Sequence, residues 1–246
     1  MQEMLQNIHD CHVHFGQFRN AYHSARSVQK AIHEIGIKRA CVMPTGIYSK
    51  KEFFECLASL KSFPEEIYDS FLWLSPRILR WMPIENLSKL HKFKAIKIHL
   101  IAHPDWYYNQ DKIHKIADFA GIVHIPLMFH TGDFWFCEPQ IFEPFVKEHP
   151  QTIFIFAHAR PINPTIEIMS KYPNVVVDTA FTPIEDVKTL IDNGFANRTL
   201  WGTDFPIFPN EKDFKTAYIT RVNQFKEILK ECDFQKVMWE NYQRIF

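Results

Sequence analysis

Two histidines near the start of the chain are spaced so that both could bind one metal ion. His12 and His14 are one residue apart in an apolar run, residues 7–15, that has the composition of a β-strand. Side chains on a strand alternate between its two faces, so His12 and His14 share one face. Imidazole nitrogens are common ligands of zinc-type ions. In a chain with thirteen histidines the pair alone is a weak signal, and further ligands must come from other strands.

The rest of the chain alternates short apolar runs with longer segments of helical periodicity. The predicted strands cover residues 7–15, 39–43, 69–74, 95–102, 125–130, 152–158, 175–178 and 199–204. The predicted helices cover residues 24–35, 50–62, 84–91, 111–120, 140–148, 164–171, 184–193, 213–230 and 234–244. This alternation predicts an α/β fold, a single (β/α)8 TIM barrel spanning residues 1–246. A doubly wound open sheet is the alternative, but the chain has only seven glycines and no glycine-rich phosphate turn.

In a barrel of this type the chemistry lies at the carboxyl ends of the strands. Polar residues occupy those ends here: His12, His14, Lys97, His99, His130, His158, Asp178 and Asp204. Each interrupts or ends a run that is otherwise apolar, and a buried polar group is unfavourable unless it has a partner. So many at equivalent positions indicate side chains that converge on one rim. Three imidazoles and one carboxylate are typical ligands of a zinc-type ion that keeps one position open for water.

Several polar residues have more than one interpretation. Lys97 is a lysine paired inside the barrel, an anchor for a substrate carboxylate, or a carbamylated bridge between two metal ions. A site with one metal ion is favoured over a site with two. Asp178 is a substrate contact, a loop contact or a residue that orients a ligand histidine. His99, His103 and Arg160 are further candidates for the pocket. The remaining histidines are expected to be solvated or structural: His9, His23, His33, His91, His114, His124 and His149.

Phenylalanine is common, with 23 copies, and several copies follow predicted strands. These are Phe15, Phe134, Phe136, Phe181, Phe205 and Phe208. Most are expected to pack in the core, and a few would line an apolar pocket.

The composition argues against several classes of partner. The chain has 28 basic and 28 acidic residues spread evenly, so neither nucleic acid nor an anionic membrane is an expected partner. Five widely spaced cysteines without a CxxC pair favour reduced thiols in a cytoplasmic protein. We find neither a signal peptide nor an apolar run long enough to span a membrane. The expected partner is a small-molecule substrate, and a homo-oligomer is compatible with the sequence.

The ordered set of strand-end motifs resembles the amidohydrolase superfamily, specifically its amidohydrolase-related ("amidohydrolase 2") branch. The motifs are the paired histidines, Lys97-Ile98-His99, the histidines that end strands five and six, and Gly202-Thr203-Asp204-Phe205-Pro206. The C-terminal Asn241-x-x-Arg244-x-Phe246 is similar to the closing helix of that branch. The branch contains metal-dependent hydrolases, lactonases, some of them metal-free, and non-oxidative decarboxylases. The resemblance implies that His12, His14, His130 and Asp204 hold one divalent ion, zinc or else manganese, and that His158 acts on the substrate or water.

The implied activity is hydrolysis of a small carboxylate-bearing amide, lactone or ester by a metal-activated water. Asp204 would accept the proton of that water, and His158 would stabilise the developing oxyanion or donate a proton. Lys97 and Arg160 would bind the substrate carboxylate, with His99 and Asp178 beside them. Two departures from the family pattern, Ala159-Arg160-Pro161 after His158 and a short chain, leave the substrate open.

Three other functions remain as alternatives. The same site could decarboxylate an aromatic or dienoic acid, with Asp204 or His158 protonating carbon. A binding barrel without turnover would lack some of the ligands, and none is missing here. A phosphoesterase or deoxyribonuclease also begins with an HxH pair, but it would be expected to have a glutamate on a middle strand and a basic surface.

Overall fold

Parallel strands run in chain order around a barrel in the computed structural model, which describes residues 7–90, 93–207 and 213–246. The strands are β1 (His9–Phe18), β2 (Ala21–His23), β3 (Arg39–Pro44), β4 (Tyr68–Trp73), β5 (Ala95–Ile98), β6 (Leu127–His130), β7 (Phe154–Ala157), β8 (Val175–Asp178) and β9 (Thr199–Leu200). Each pairs in parallel with its neighbour except β2, which forms an antiparallel hairpin with the end of β1. The predicted α/β barrel is confirmed.

The barrel is closed by hydrogen bonds between β1 and the segment that follows β9. The amide of Cys11 donates to the carbonyl of Trp201 at 3.0 Å, and the amide of Asp204 donates to the carbonyl of His12 at 2.8 Å. Val13 and Phe205 form a parallel bridge one step further along. The last strand therefore delivers Asp204 directly beside the two histidines of the first.

Helices cover the outside of the barrel. They are α1 (Ala25–Ile35), α2 (Lys50–Leu60), α3 (Gln110–Ile122), α4 (Pro139–Glu148), α5 (Ile162–Lys171), α6 (Ile184–Asp192), α7 (Phe214–Ile228), α8 (Glu231–Gln235) and α9 (Asn241–Ile245). Local sequence fixes several ends: Ser24 caps α1, Gly36 ends it in the left-handed region at φ 81°, and Ser49 with Glu52 forms a capping box on α2. None of the described helices is long and apolar enough to cross a membrane.

The structure corrects four predicted elements. The segment predicted as a helix at 84–91 is a 3-10 helix, Ile84–Lys89. Only Leu87 of this segment is buried, which is too little apolar contact to favour a full α-helix. His91 and Phe208 lie outside the described residues. Strand 95–102 ends at Ile98, and the strand at 199–204 is regular only to Leu200. The predicted helix 234–244 contains a π-helical turn, Lys236–Glu240.

The N-terminal end of the barrel is covered by the chain's C-terminal segment. The Tyr242 hydroxyl donates to Asp69 Oδ2 at 2.7 Å, and Arg39 forms a bidentate ion pair with the same carboxylate. His9 packs edge-on against the Tyr242 ring, with centroids 5.1 Å apart. Burial, helped by Arg39, lowers the pKa of His9 to about 4.

This lowered pKa predicts that His9 makes the fold less stable in mild acid. The unfolded chain takes up a proton near pH 6.5 and the folded chain only near pH 4, so stability falls as the pH drops through that window. We expect His9→Gln to lose about 1 kcal/mol less stability than the wild type between pH 7 and pH 5, after allowance for solvent screening. Urea unfolding at the two pH values measures this. His33→Gln, at an exposed position on α1, is the control and should follow the wild type; an identical pH dependence for His9→Gln would contradict the prediction.

Candidate active site

A cavity of about 520 Å³ opens at the carboxyl ends of the strands. Most of the predicted rim residues line it, namely His12, His14, Lys97, His99, His130, His158, Arg160 and Asp204. Aromatic side chains form much of the remaining wall: Phe18, Trp73, Phe134 and Phe181. The volume is in the range of small-molecule sites.

His12, His14 and Asp204 bring three acceptor atoms together without a proton between them. His14 Nδ1 lies 2.9 Å from the carbonyl of Pro44, which can only accept, so the proton of His14 is on Nδ1. His12 Nδ1 likewise lies 2.8 Å from Asp178 Oδ2. The two Nε2 atoms therefore both carry lone pairs, yet they lie 3.1 Å apart. Asp204 Oδ1 is 3.0 Å from His14 Nε2 and 3.5 Å from His12 Nε2.

A second pair of histidines repeats this arrangement on the adjacent wall. His158 Nδ1 donates to the carbonyl of Ala180 at 3.0 Å, and His130 Nε2 donates to Asp133 Oδ2 at 2.9 Å. The remaining nitrogens, His158 Nε2 and His130 Nδ1, then face each other as acceptors at 3.1 Å. Burial lowers the pKa of both rings, and that of His158 is lowered further by His130, so the neutral forms are favoured.

The donor set fits a divalent cation. Buried lone pairs that face one another repel unless a proton or a cation lies between them, and Asp204 Oδ1 is buried without a hydrogen-bond donor among the described residues. The ligand atoms of His12, His14 and Asp204 all lie within 4.8 Å of one another, and imidazole nitrogen with carboxylate oxygen is a typical zinc-type ligand set. His130 is not part of this group in the structure, because its Nδ1 faces His158 Nε2 instead.

Two buried aspartates lie behind the rim histidines and hold them in place. Asp178 lies outside the cavity: Oδ2 holds His12, and Oδ1 accepts from the amides of His158 at 2.9 Å and Ala180 at 3.0 Å. Both oxygens are occupied, so Asp178 lies behind His12 and His158 and does not form part of the cavity wall. Asp10 accepts from the amide of His12 and from the amide and hydroxyl of Thr203.

Lys97 is fully buried and extends from β5 toward the histidines. Its Nζ lies 3.3 Å from Met128 Sδ, and no carboxylate of the described residues lies within ion-pair distance. Burial lowers its pKa to about 8, against the raising effect of Asp178 and Asp204. An amine of this kind is partly neutral near pH 8.

Arg160 is connected to the histidines through Asp133. Asp133 Oδ2 accepts from Arg160 Nη2 at 2.8 Å and from His130 Nε2 at 2.9 Å. Gly132 makes room for this arrangement, because a Cβ there would lie 2.5 Å from Arg160 Cγ. Arg160 also lies over the Phe181 ring at 6.0 Å, so a cation and a flat apolar surface adjoin at the cavity mouth.

Of the remaining two candidates, one lines the cavity and the other lies behind its wall. His99 lines the cavity and stacks on His130, with centroids 4.0 Å apart. His103 lies behind the wall, where its Nε2 accepts from Trp73 Nε1 at 2.9 Å. Sequence reasoning missed Trp73, Asp133, Arg19 and Asp10. Asp10 alone had a usable signal, since it shares the period-two face of His12 and His14.

These features define a (β/α)8 barrel with a histidine–aspartate centre at the strand ends. A family model described as Amidohydrolase matches residues 77–246, and the chain belongs to this family. No curated protein matches the sequence. The predicted family membership is confirmed, and with it the prediction that the chain is an enzyme.

Solved structures with the same fold have very different sequences. An amidohydrolase from Burkholderia multivorans with bound zinc has a TM-score of 0.71 at 10% identity, covering 97% of this chain and 98% of its own. A probable 2-pyrone-4,6-dicarboxylic acid hydrolase from Acinetobacter baumannii, with citric acid bound, has a TM-score of 0.70 at 14% identity and the same coverage. IDCase from Metarhizium anisopliae has a TM-score of 0.71 at 11% identity, covering 100% and 98%.

The proton arrangement around His12 predicts the effect of Asp178→Asn. The two backbone amides require the asparagine oxygen at the Oδ1 position, so its amide nitrogen would face His12 Nδ1. His12 would then carry its proton on Nε2, among the three acceptors. We expect affinity for zinc to fall about 10–100-fold with the fold retained. Competition with a chelating dye measures this affinity. Asp192→Asn, on the surface of α6, is the matched control. Unchanged affinity of Asp178→Asn would show that Asp178 does not set the tautomer of His12.

Proposed function

We propose that the protein is a metal-dependent hydrolase that acts on a small carboxylate-bearing amide, lactone or ester. The observation that carries this proposal is the convergence of unprotonated His12, His14 and Asp204 atoms at the floor of a cavity whose mouth holds arginine. A buried cluster of acceptors calls for a cation, and the neighbouring positive charge suits an anionic group on the substrate.

The proposed ligands are His12, His14 and Asp204, with His130 as the fourth, and the proposed ion is zinc, or else manganese. Such an ion, when bound, would polarise a substrate carbonyl and lower the pKa of water. His130 Nδ1 is unprotonated in the hydrogen-bond pattern, which supports a ligand role. One ion remains the preferred stoichiometry, and a second would require Lys97 as a carbamate or His99 as a ligand at the rim. Burial lowers the pKa of Lys97 to about 8, which is compatible with carbamate formation as well as with an anchoring role.

Asp204 is the proposed proton acceptor. The cation that Asp204, His12 and His14 would hold favours the ionised form of this buried carboxylate at neutral pH. The carboxylate can receive a proton from water and return it to the leaving group. His158, neutral and with its Nδ1 proton directed to Ala180, offers a lone pair to the site, which supports a proton-accepting or ligating role over proton donation.

Arg160 is the proposed anchor of the substrate carboxylate, with Lys97 and His99 deeper in the cavity. The Asp133 carboxylate holds the guanidinium in place, and the fork geometry of arginine matches a carboxylate with two hydrogen bonds. Arg19, between β1 and β2, adds a further cation to the lining.

Decarboxylation of a conjugated acid is the second candidate, favoured by the aromatic walls. Trp73, Phe134 and Phe181 offer flat surfaces to a planar substrate beside the same cations. With a panel of small carboxylic acids, carbon dioxide release would support decarboxylation, and incorporation of labelled oxygen from water into the product would support hydrolysis.

Replacement of Asp204 tests the proposal directly. Asp204→Asn keeps an oxygen ligand but removes the basic carboxylate, so we expect kcat to fall at least about 100-fold while bound metal persists. Metal content by elemental analysis and turnover on the active substrate are measured together. Asp192→Asn should be fully active. Full activity of Asp204→Asn with normal metal content would exclude the assigned role.

Replacement of Arg160 tests the anchor. Arg160→Lys keeps the charge but loses the fork, so we expect KM for a carboxylate substrate to rise about tenfold with a smaller change in kcat. Steady-state kinetics on the acid and on its neutral methyl ester separate the two effects. The ester should show no such increase, and an equal increase for both substrates would argue against carboxylate binding at Arg160.

A further inference from the structure

We propose a second divalent-cation site on the outer surface of the barrel, formed by His114, His149 and Glu148. His114 lies on α3, Glu148 is the last residue of α4, and His149 follows it. None of the three lines the cavity at the strand ends. The expected occupant is a zinc-type ion, because two imidazoles and one carboxylate are a zinc ligand set that leaves a fourth position for water.

The three side chains already lie close to coordination geometry. His114 Nδ1 is 2.9 Å from His149 Nε2 and 3.4 Å from Glu148 Oε2. The three ligand atoms all lie within 4.8 Å of one another. Tetrahedral ligands at zinc distances of about 2.1 Å are separated by about 3.4 Å, so the two nitrogens need to move apart by only about half an ångström.

Asp118 sets the tautomer of His149 that a metal requires. His149 Nδ1 lies 2.8 Å from Asp118 Oδ1, and a carboxylate only accepts, so the ring proton is on Nδ1 and the Nε2 lone pair points toward His114. A histidine that donates one nitrogen to a carboxylate and offers the other to the ion is the usual arrangement around protein-bound zinc.

His149 is fixed in place before any ion binds. It is buried, its amide donates to the carbonyl of Phe145 at 3.1 Å, and its own carbonyl accepts from Asn174 Nδ2 at 3.2 Å. The His114 ring packs on Phe145, with centroids 4.6 Å apart. Little conformational entropy is lost on ligation, because only Glu148 is well exposed and free to adjust among the three ligands.

The local charge also favours a cation. Glu148 and Asp118 contribute two carboxylates, and among the described residues no lysine or arginine lies within 4.0 Å of either. Without an ion, His114 donates its Nδ1 proton to His149 or Glu148. With an ion, that proton moves to Nε2 of the half-buried His114 ring, which needs no backbone change.

An ion bound at this site would crosslink α3 to the end of α4. An ion that binds only the folded chain stabilises it in proportion to its occupancy. The site would therefore respond to zinc by raising the thermal stability of the protein, without contact with the substrate cavity.

Zinc titration of chelator-treated protein tests the proposal. We expect the wild type to bind one more zinc equivalent than His114→Gln, by calorimetry with ZnCl2. Glu148→Gln and Asp118→Asn should keep that equivalent with affinity lowered about 10-fold or more. Addition of zinc should raise the melting temperature of the wild type more than that of His114→Gln.

Controls separate this site from the cavity. His33→Gln, at another exposed helical histidine, should bind as much zinc as the wild type. If the cavity bound no zinc, the wild type would still bind one equivalent that His114→Gln loses. Unfolding of His114→Gln without zinc should match the wild type without zinc, which excludes a folding defect. Equal stoichiometry, affinity and zinc-dependent melting in wild type and His114→Gln would overturn the proposal.

Discussion

The site depends on the hydrogen bonds that join the first strand to the segment after the last. His12 and His14 belong to one side of this seam and Asp204 to the other, so barrel closure also sets the distances between these three side chains. Asp10 reinforces the seam, because its buried carboxylate accepts from the amide of His12 and from both donors of Thr203. A change that loosened this pairing would separate ligand atoms that are now about 3 Å apart.

In these histidines, the hydrogen bond that one ring nitrogen donates determines that the other ring nitrogen carries a lone pair. Four of the five rim histidines, all but His99, direct one nitrogen to a fixed acceptor: Asp178, the carbonyls of Pro44 and Ala180, and Asp133. Each acceptor receives a hydrogen bond from one ring nitrogen, so the proton stays on that nitrogen and the lone pair of the other nitrogen is directed at a neighbouring ring. The preference for a cation is therefore a property of the whole hydrogen-bond arrangement, and a ligand set assigned by residue type alone would not show it.

The sequence predicted the parts of this arrangement that follow from strand periodicity. Alternation placed His12 and His14 on one face, and the ends of apolar runs marked His130, His158 and Asp204. The same alternation applied to Asp10, but an aspartate before the pair carried no separate motif. Asp133 could not be predicted, because it lies in a loop and becomes relevant only through its contacts with Arg160 and His130. The β2 hairpin was missed for a similar reason: its three residues have no apolar alternation.

Backbone conformation explains why Asp178 does more than orient a ring. His158, directly after β7, and Asp204, in the segment after β9, have left-handed backbones at φ 74° and 59°, a conformation that is unfavourable by about 1 kcal/mol for a residue with a side chain. The amide of His158 is held by Asp178 and that of Asp204 by the carbonyl of His12. Thus Asp178 fixes the tautomer of one histidine and the strained backbone of another. Both residues line the cavity, so their placement at the rim depends on these buried hydrogen bonds.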